Sequence, residues 1–107
     1  MQITNIGSNR TLITHKVWNQ FKEFTTDFDI YLSYSQPVVV VDWANRKVYQ
    51  NVKKYSTSTS RHTNEFLRLS NRFDYDSKGN PHMIDKWEHK FVNEAKINEL
   101  ALAGRGI

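Results

Sequence analysis

No cysteine occurs in the 107 residues, which excludes disulfides, thiolate nucleophiles and cysteine-ligated zinc and fits a reducing interior. No charged-then-apolar leader and no long apolar span is present, so neither secretion nor a membrane partner is expected and the expected location is cytoplasmic. The glycines and the Gly-Lys-Ser/Thr ending of a phosphate-binding loop are missing. Zinc-finger spacing, the glycine-aromatic signature of an RNA-binding sheet, a His-Glu-x-x-His helix and a nucleophile elbow are missing too. No cofactor is therefore expected. Apolar residues make up only 38% of the chain.

What is present still suffices for one domain over residues 1–107. Three Trp, six Phe and five Tyr bury a large area per residue, so a core is feasible and disorder is not expected. The first half reads as strands. Met1–Ile6 is a short strand, and Gly7-Ser8-Asn9 a turn. A second strand covers Arg10–His15; residues 16–24 read either as its continuation or as a short helix, with Thr25-Thr26-Asp27 as a hairpin tip. Ile30, Leu32 and Tyr34 alternate with polar or amphipathic neighbours. After Pro37, four consecutive valines, Val38–Val41, predict a central strand buried on both faces. Ala44-Asn45-Arg46 then turns the chain into a partner strand, Lys47–Val52.

The second half reads as helices. One is expected over Arg61–Asn71, N-capped by Ser58 or Ser60, with Phe66, Leu69 and Phe73 on its apolar side. Asp74–Pro81 is a loop, and Met83–Ala103 a second helical segment, broken near Phe91 and ended by Gly104. The expected class is α+β: an antiparallel sheet of about four or five strands, then two helical segments packed on one face.

Charge is unevenly placed. Seven bases against Glu65 alone give +6 between Arg46 and Arg72, while the remaining eight bases and ten acids give −2. That stretch contains Lys53, Lys54 and Tyr55, then five consecutive hydroxyl residues, Ser56 to Ser60, then Arg61, His62 and Asn64. Hydroxyls and free backbone N–H groups at a helix start, flanked by bases, can seat an anion; the simpler reading is that they cap the helix. Arg61, Glu65, Arg68 and Arg72 recur at helical spacing, and such an arginine stripe can follow a nucleic-acid backbone. The candidate anion- or nucleic-acid-binding residues are thus Arg46, Lys47, Lys53, Lys54, Tyr55, Ser58, Ser60, Arg61, His62, Asn64, Arg68 and Arg72. The bland alternative is a solvated basic surface. Among the histidines, His82 and His89 could share a helix face with Asp85, too few ligands for a metal centre on that pattern.

Two segments carry a family likeness. Leu32-Ser33-Tyr34-Ser35-Gln36-Pro37-Val38 and Lys54-Tyr55-Ser56-Thr57-Ser58-Thr59-Ser60-Arg61-His62, with the opening Ile3–Thr11, resemble a family of small uncharacterised proteins from bacterial viruses and plasmids. That family has a Ser-Tyr-x-Thr-Pro-Val strand and a Tyr-Ser-x-Thr-Thr-Ser-x-His joint before a helix. Here Gln36 stands where Thr is usual, and Ser58-Thr59 where Thr-Thr is usual. The likeness spans roughly residues 2 to 69. It implies a mobile-element origin, hence a host-cell cytoplasm, and no mechanism. With the charge pattern it favours a non-enzymatic protein that engages nucleic acid or a host nucleoprotein, including an inhibitor of host defence of the anti-CRISPR type. A small hydrolase or nuclease using His62 and neighbouring hydroxyls is the alternative, and a structural homodimer formed through a strand edge is a third.

Overall fold

Alternating apolar residues set the first half of the chain. The computed structural model describes residues 2–18, 24–53, 56–84 and 86–104. Its first five strands are β1 (Gln2–Gly7), β2 (Arg10–Trp18), β3 (Phe24–Ser33), β4 (Gln36–Asp42) and β5 (Lys47–Asn51), each antiparallel to the next. The expected hairpin tip at Thr25–Asp27 lies instead within β3, since pairing with β2 continues until Phe24 stands opposite Trp18. Of the ambiguous stretch, residues 16–18 and 24 are strand, and 19–23 lie outside the described residues.

Turn chemistry explains the connections. Gly7 has φ +155, a conformation that L side chains rarely adopt and that favours glycine. Tyr34 and Ser35, with φ 51 and 68, form the two-residue link between β3 and β4. Positive φ at both central positions matches the twist of the flanking strands, at a conformational cost that Gly or Asn would largely avoid. At the β4–β5 turn, Asp42 accepts from the Asn45 backbone N–H at 3.2 Å and its side-chain amide at 2.8 Å.

Beyond β5 the structure corrects several expectations. Helix α1 runs Thr57–Leu69, four residues earlier than expected at its start, because Ser56 and not Ser58 or Ser60 is the N-cap. It stops at Leu69; Asn71 takes φ 59, as a residue just past a helix end commonly does. Arg72 is therefore not on the helix. The expected loop contains a hairpin, β6 (Phe73–Tyr75) with β7 (Pro81–Met83). The first part of the expected second helix is also strand: β8 (Glu88–Val92) adds to the sheet, and only α2 (Glu94–Gly104) is helical. In β8, His89 packs edge-on against Phe73 at 5.0 Å, while Phe91, two residues on, is exposed.

The main sheet thus has six strands, in the order β1-β2-β3-β4-β5-β8. β8 is parallel to β5. The reason is topological: α1 carries the chain back along the sheet, so the next sheet strand starts beside the start of β5.

The helices cover opposite faces, not one. Phe66 and Leu67 of α1 pack with Tyr31, Val38, Val39, Val41 and Val48. Ile97 and Ala101 of α2 pack with Ile13, Ile30, Leu32 and Val40. Alternate residues of β3 and β4 point to opposite faces, so the two clusters lie on either side of the sheet. A register shift opposite Leu32 places Val38 and Val39 on the same side. Leu69, expected in the core, is half exposed at 50%, and Thr59, Thr63, Phe66 and Leu67 form the buried side of α1.

Candidate functional site

The row of hydroxyls supplies structure first. Ser56 Oγ accepts from the Thr59 backbone N–H at 3.1 Å and caps α1. One turn apart, Thr59 and Thr63 turn inward, and Thr63 Oγ1 donates to the Thr59 carbonyl at 2.9 Å. Ser33, at the end of β3, donates to Thr59 Oγ1 at 3.3 Å and lies 2.7 Å from His62 Nδ1. Ser56, Thr59, Ser33 and His62 therefore form one polar chain joining the first turns of α1 to the sheet. Tyr34 and Phe66 flank the His62 ring, with centroids at 5.6 and 6.2 Å. Ser58, Ser60 and Arg61 face solvent.

The basic residues are dispersed by the same geometry. Arg46 and Lys47 sit at the start of β5 and Lys53 beyond its end, so the strand length, roughly 15 Å, separates them. Lys53 pairs with Glu94 of α2 at 3.1 Å. Arg68 stacks over Tyr75 at 4.3 Å. Arg72 lies against Trp43 and Trp87, 4.8 and 5.3 Å from the ring centroids, with a buried Nε that has no hydrogen-bond partner among the described residues. No single stripe joins Arg61, Arg68 and Arg72. Lys54 and Tyr55 lie outside the described residues. Glu65, the one acid in the charged third, is bound by Arg10 of β2, leaving Arg61 and Arg68 as exposed bases on α1.

Two depressions follow one flank of α1. The larger, about 380 Å³, lies between the helix, the end of β5 and β8, and is lined by Asn51, Lys53, Ser60, Thr63, Asn64 and Phe91 among others. The smaller, about 180 Å³, lies between the helix and the β6–β7 hairpin, with Asn64, Arg68, Tyr75 and Pro81 in its wall. Asn64 lines both. Of the twelve candidates, the groove collects Lys53, Ser60, Asn64 and Arg68. Among the lining residues outside the twelve candidates are Phe91 and Tyr75, and Phe91 lies on β8 rather than on the expected helix. A lone phenylalanine among Glu88, His89 and Lys90 was the available signal.

Local electrostatics follow burial. Desolvation holds the His89 imidazole below its usual pKa; His89 Nε2 lies 2.9 Å from Gln50 Oε1. Burial, helped by the charge of Asp29, pushes the Tyr31 phenol up, so it stays protonated. Asp76 is held below the usual carboxylate range, foremost by the backbone N–H of Asn80. The expected His82–Asp85–His89 face does not form, since His82 is on β7 and His89 on β8, while Asp85 lies outside the described residues. Among the described residues no group of three or more His, Asp or Glu could hold a metal ion. None of the described helices is long and apolar enough to cross a membrane.

Residues 1–81 match a family of unknown function, DUF8033. The chain belongs to this family. The match takes in β1 to β5, α1 and β6, so the polar chain from Ser56 to His62 lies wholly within the DUF8033 region. β8 and α2 lie beyond it, and with them the Phe91 wall of the larger depression. No curated protein and no solved structure matches the chain.

Proposed function

We propose that this DUF8033 protein is a non-enzymatic binding protein of a mobile element that engages nucleic acid, or a host nucleoprotein, through the basic side of α1. The observation that carries the reading is the Arg10–Glu65 pair: it occupies the only acid in a segment whose formal charge is +6. Arg61 and Arg68, which have no ion pair among the described residues, then present a positive surface, which attracts polyanions. Inhibition of host defence, of the anti-CRISPR type, is one form this binding takes. The hydrolase alternative has less support, because the hydroxyl next to His62 belongs to Ser33, which is 1% exposed and closed to a substrate.

The test is a salt series of binding to short single- and double-stranded DNA and RNA, read by fluorescence anisotropy. Affinity that falls as salt rises is expected; no binding at low salt to any of them removes the nucleic-acid form. Plasmid clearance by an active host CRISPR system, unchanged when the chain is expressed, removes the defence-inhibitor form. A homodimer remains a second reading, favoured by the edge strand β1, which carries no charged residue and exposes Ile3 by 63%. Light scattering decides it.

A further inference from the structure

We infer that the groove along α1 is a seat for single-stranded nucleic acid, in which an unpaired base stacks on Phe91 and the strand passes Asn64 towards Arg68; this rests on the nucleic-acid reading above. Asn64 lines both depressions, and the flank from Ser60 to Arg68 spans about 12 Å at 1.5 Å per residue. Roughly three phosphates at stacked-strand spacing cover that length.

The lining suits an unpaired strand. Phe91 is 62% exposed on an edge strand, where a large apolar side chain is ordinarily a liability. It is also held in place: the His89 ring stands 4.5 Å from it, and His89 is fixed in turn by Gln50. A ring presented in this way, beside a depression of about 380 Å³, offers a platform for a base of any sequence. Asn64 adds an amide at the midpoint, able to donate and accept. At the far end the Arg68 guanidinium is oriented by Tyr75.

A duplex is disfavoured by the same geometry. Duplex binding draws chiefly on rows of phosphate contacts. Here the cations are scattered: Arg46 at the far end of β5, Lys53 on Glu94, and Arg72 against two tryptophans. The bases of a duplex are stacked inside it and cannot reach Phe91.

The experiment compares labelled oligo(dT), oligo(dA), oligo(U) and oligo(A) with a mixed-sequence duplex, on the full chain and on Phe91→Ala, Phe91→Trp, Arg68→Ala and Lys96→Ala. Circular dichroism checks that each variant is folded. Single strands bind more tightly than duplex. Phe91→Ala weakens single-strand binding at least about fivefold with the salt slope unchanged, and Phe91→Trp restores it. Arg68→Ala reduces the slope by about 0.7, the share of one phosphate contact on a single strand. Lys96, on the opposite face, has no effect. Duplex bound as tightly as single strand, or a folded Phe91→Ala with parent affinity, overturns the groove assignment while leaving the basic-surface reading intact. No binding to any oligonucleotide overturns both.

Discussion

Ser33 Oγ, at the end of β3, lies 2.7 Å from Nδ1 of His62 in the second turn of α1. This contact joins the two segments on which the family likeness was read, the Ser-Tyr strand end and the hydroxyl-rich joint. Ser33 is also the most deeply buried serine among the described residues and donates to Thr59. Replacing it by Ala removes the partner of His62 Nδ1 and one of the two hydroxyl donors to Thr59 Oγ1, which keeps Ser56. Ser33→Ala is therefore expected to destabilise the fold by about 1–3 kcal/mol. A urea midpoint equal to that of the parent, with the same slope, would show that water or a rearranged Thr59 replaces the bond.

The cap of α1 gives a sharper comparison among similar residues. Ser56 accepts from the Thr59 backbone N–H, whereas Ser58 and Ser60 are exposed within the first helical turn. Ser56→Ala is expected to cost about 1 kcal/mol. Ser58→Ala and Ser60→Ala should stay within about 0.5 kcal/mol of the parent, as Ala is the better helix former. Chemical denaturation of the three variants decides it; a larger loss at Ser58 or Ser60 than at Ser56 would move the cap.

His89 is expected to make stability depend on pH. Burial lowers its pKa in the folded chain, so the unfolded chain takes up a proton more readily. The neutral ring's contribution is complete above the ordinary histidine value of about 6.5 and is lost progressively as pH falls below it. The parent should therefore lose stability faster than His89→Gln between about pH 7 and pH 5. Parallel slopes for the two proteins would assign the acid sensitivity to other groups.

How much of this was legible depended on whether a residue's role is local. Val38–Val41 announced a strand buried on both faces, and that is where it lies, between α1 and α2. The same four valines already argued against both helices sharing one face, since the opposite side would then have had no cover. Ile84, Trp87 and Phe91 fall at near-helical spacing, which predicts a helix where the structure has the strand β8. Trp87 is placed instead by its edge-on contact with Trp43 at 5.2 Å, a long-range partner that no periodicity reveals. The hydroxyl row is legible as a helix start, but five similar residues leave its cap undecided; Ser56 takes the role because its Oγ receives the Thr59 backbone N–H. The arginine stripe failed for a related reason: the helix stops at Leu69, and Arg72 follows the chain round to the tryptophans.

Arg72 is accordingly expected to matter for the fold more than for ligand. Its guanidinium lies against both Trp43 and Trp87, and its Nε is buried without a hydrogen-bond partner among the described residues, so its ring contacts offset a desolvation cost. Arg72→Ala removes that cation–π attraction and the packing of the side-chain stem, for a loss of about 1–2 kcal/mol. Arg72→Lys is expected to recover little of it, because an ammonium is more strongly hydrated and cannot lie flat on a ring. Arg61→Ala, at an exposed position of α1, should change stability by less than about 0.5 kcal/mol. Thermal unfolding followed by tryptophan fluorescence measures all three, and emission should shift only where Arg72 is replaced. If Arg72→Ala instead unfolds at the parent temperature but binds oligonucleotides with a reduced salt slope, Arg72 belongs to the ligand surface after all.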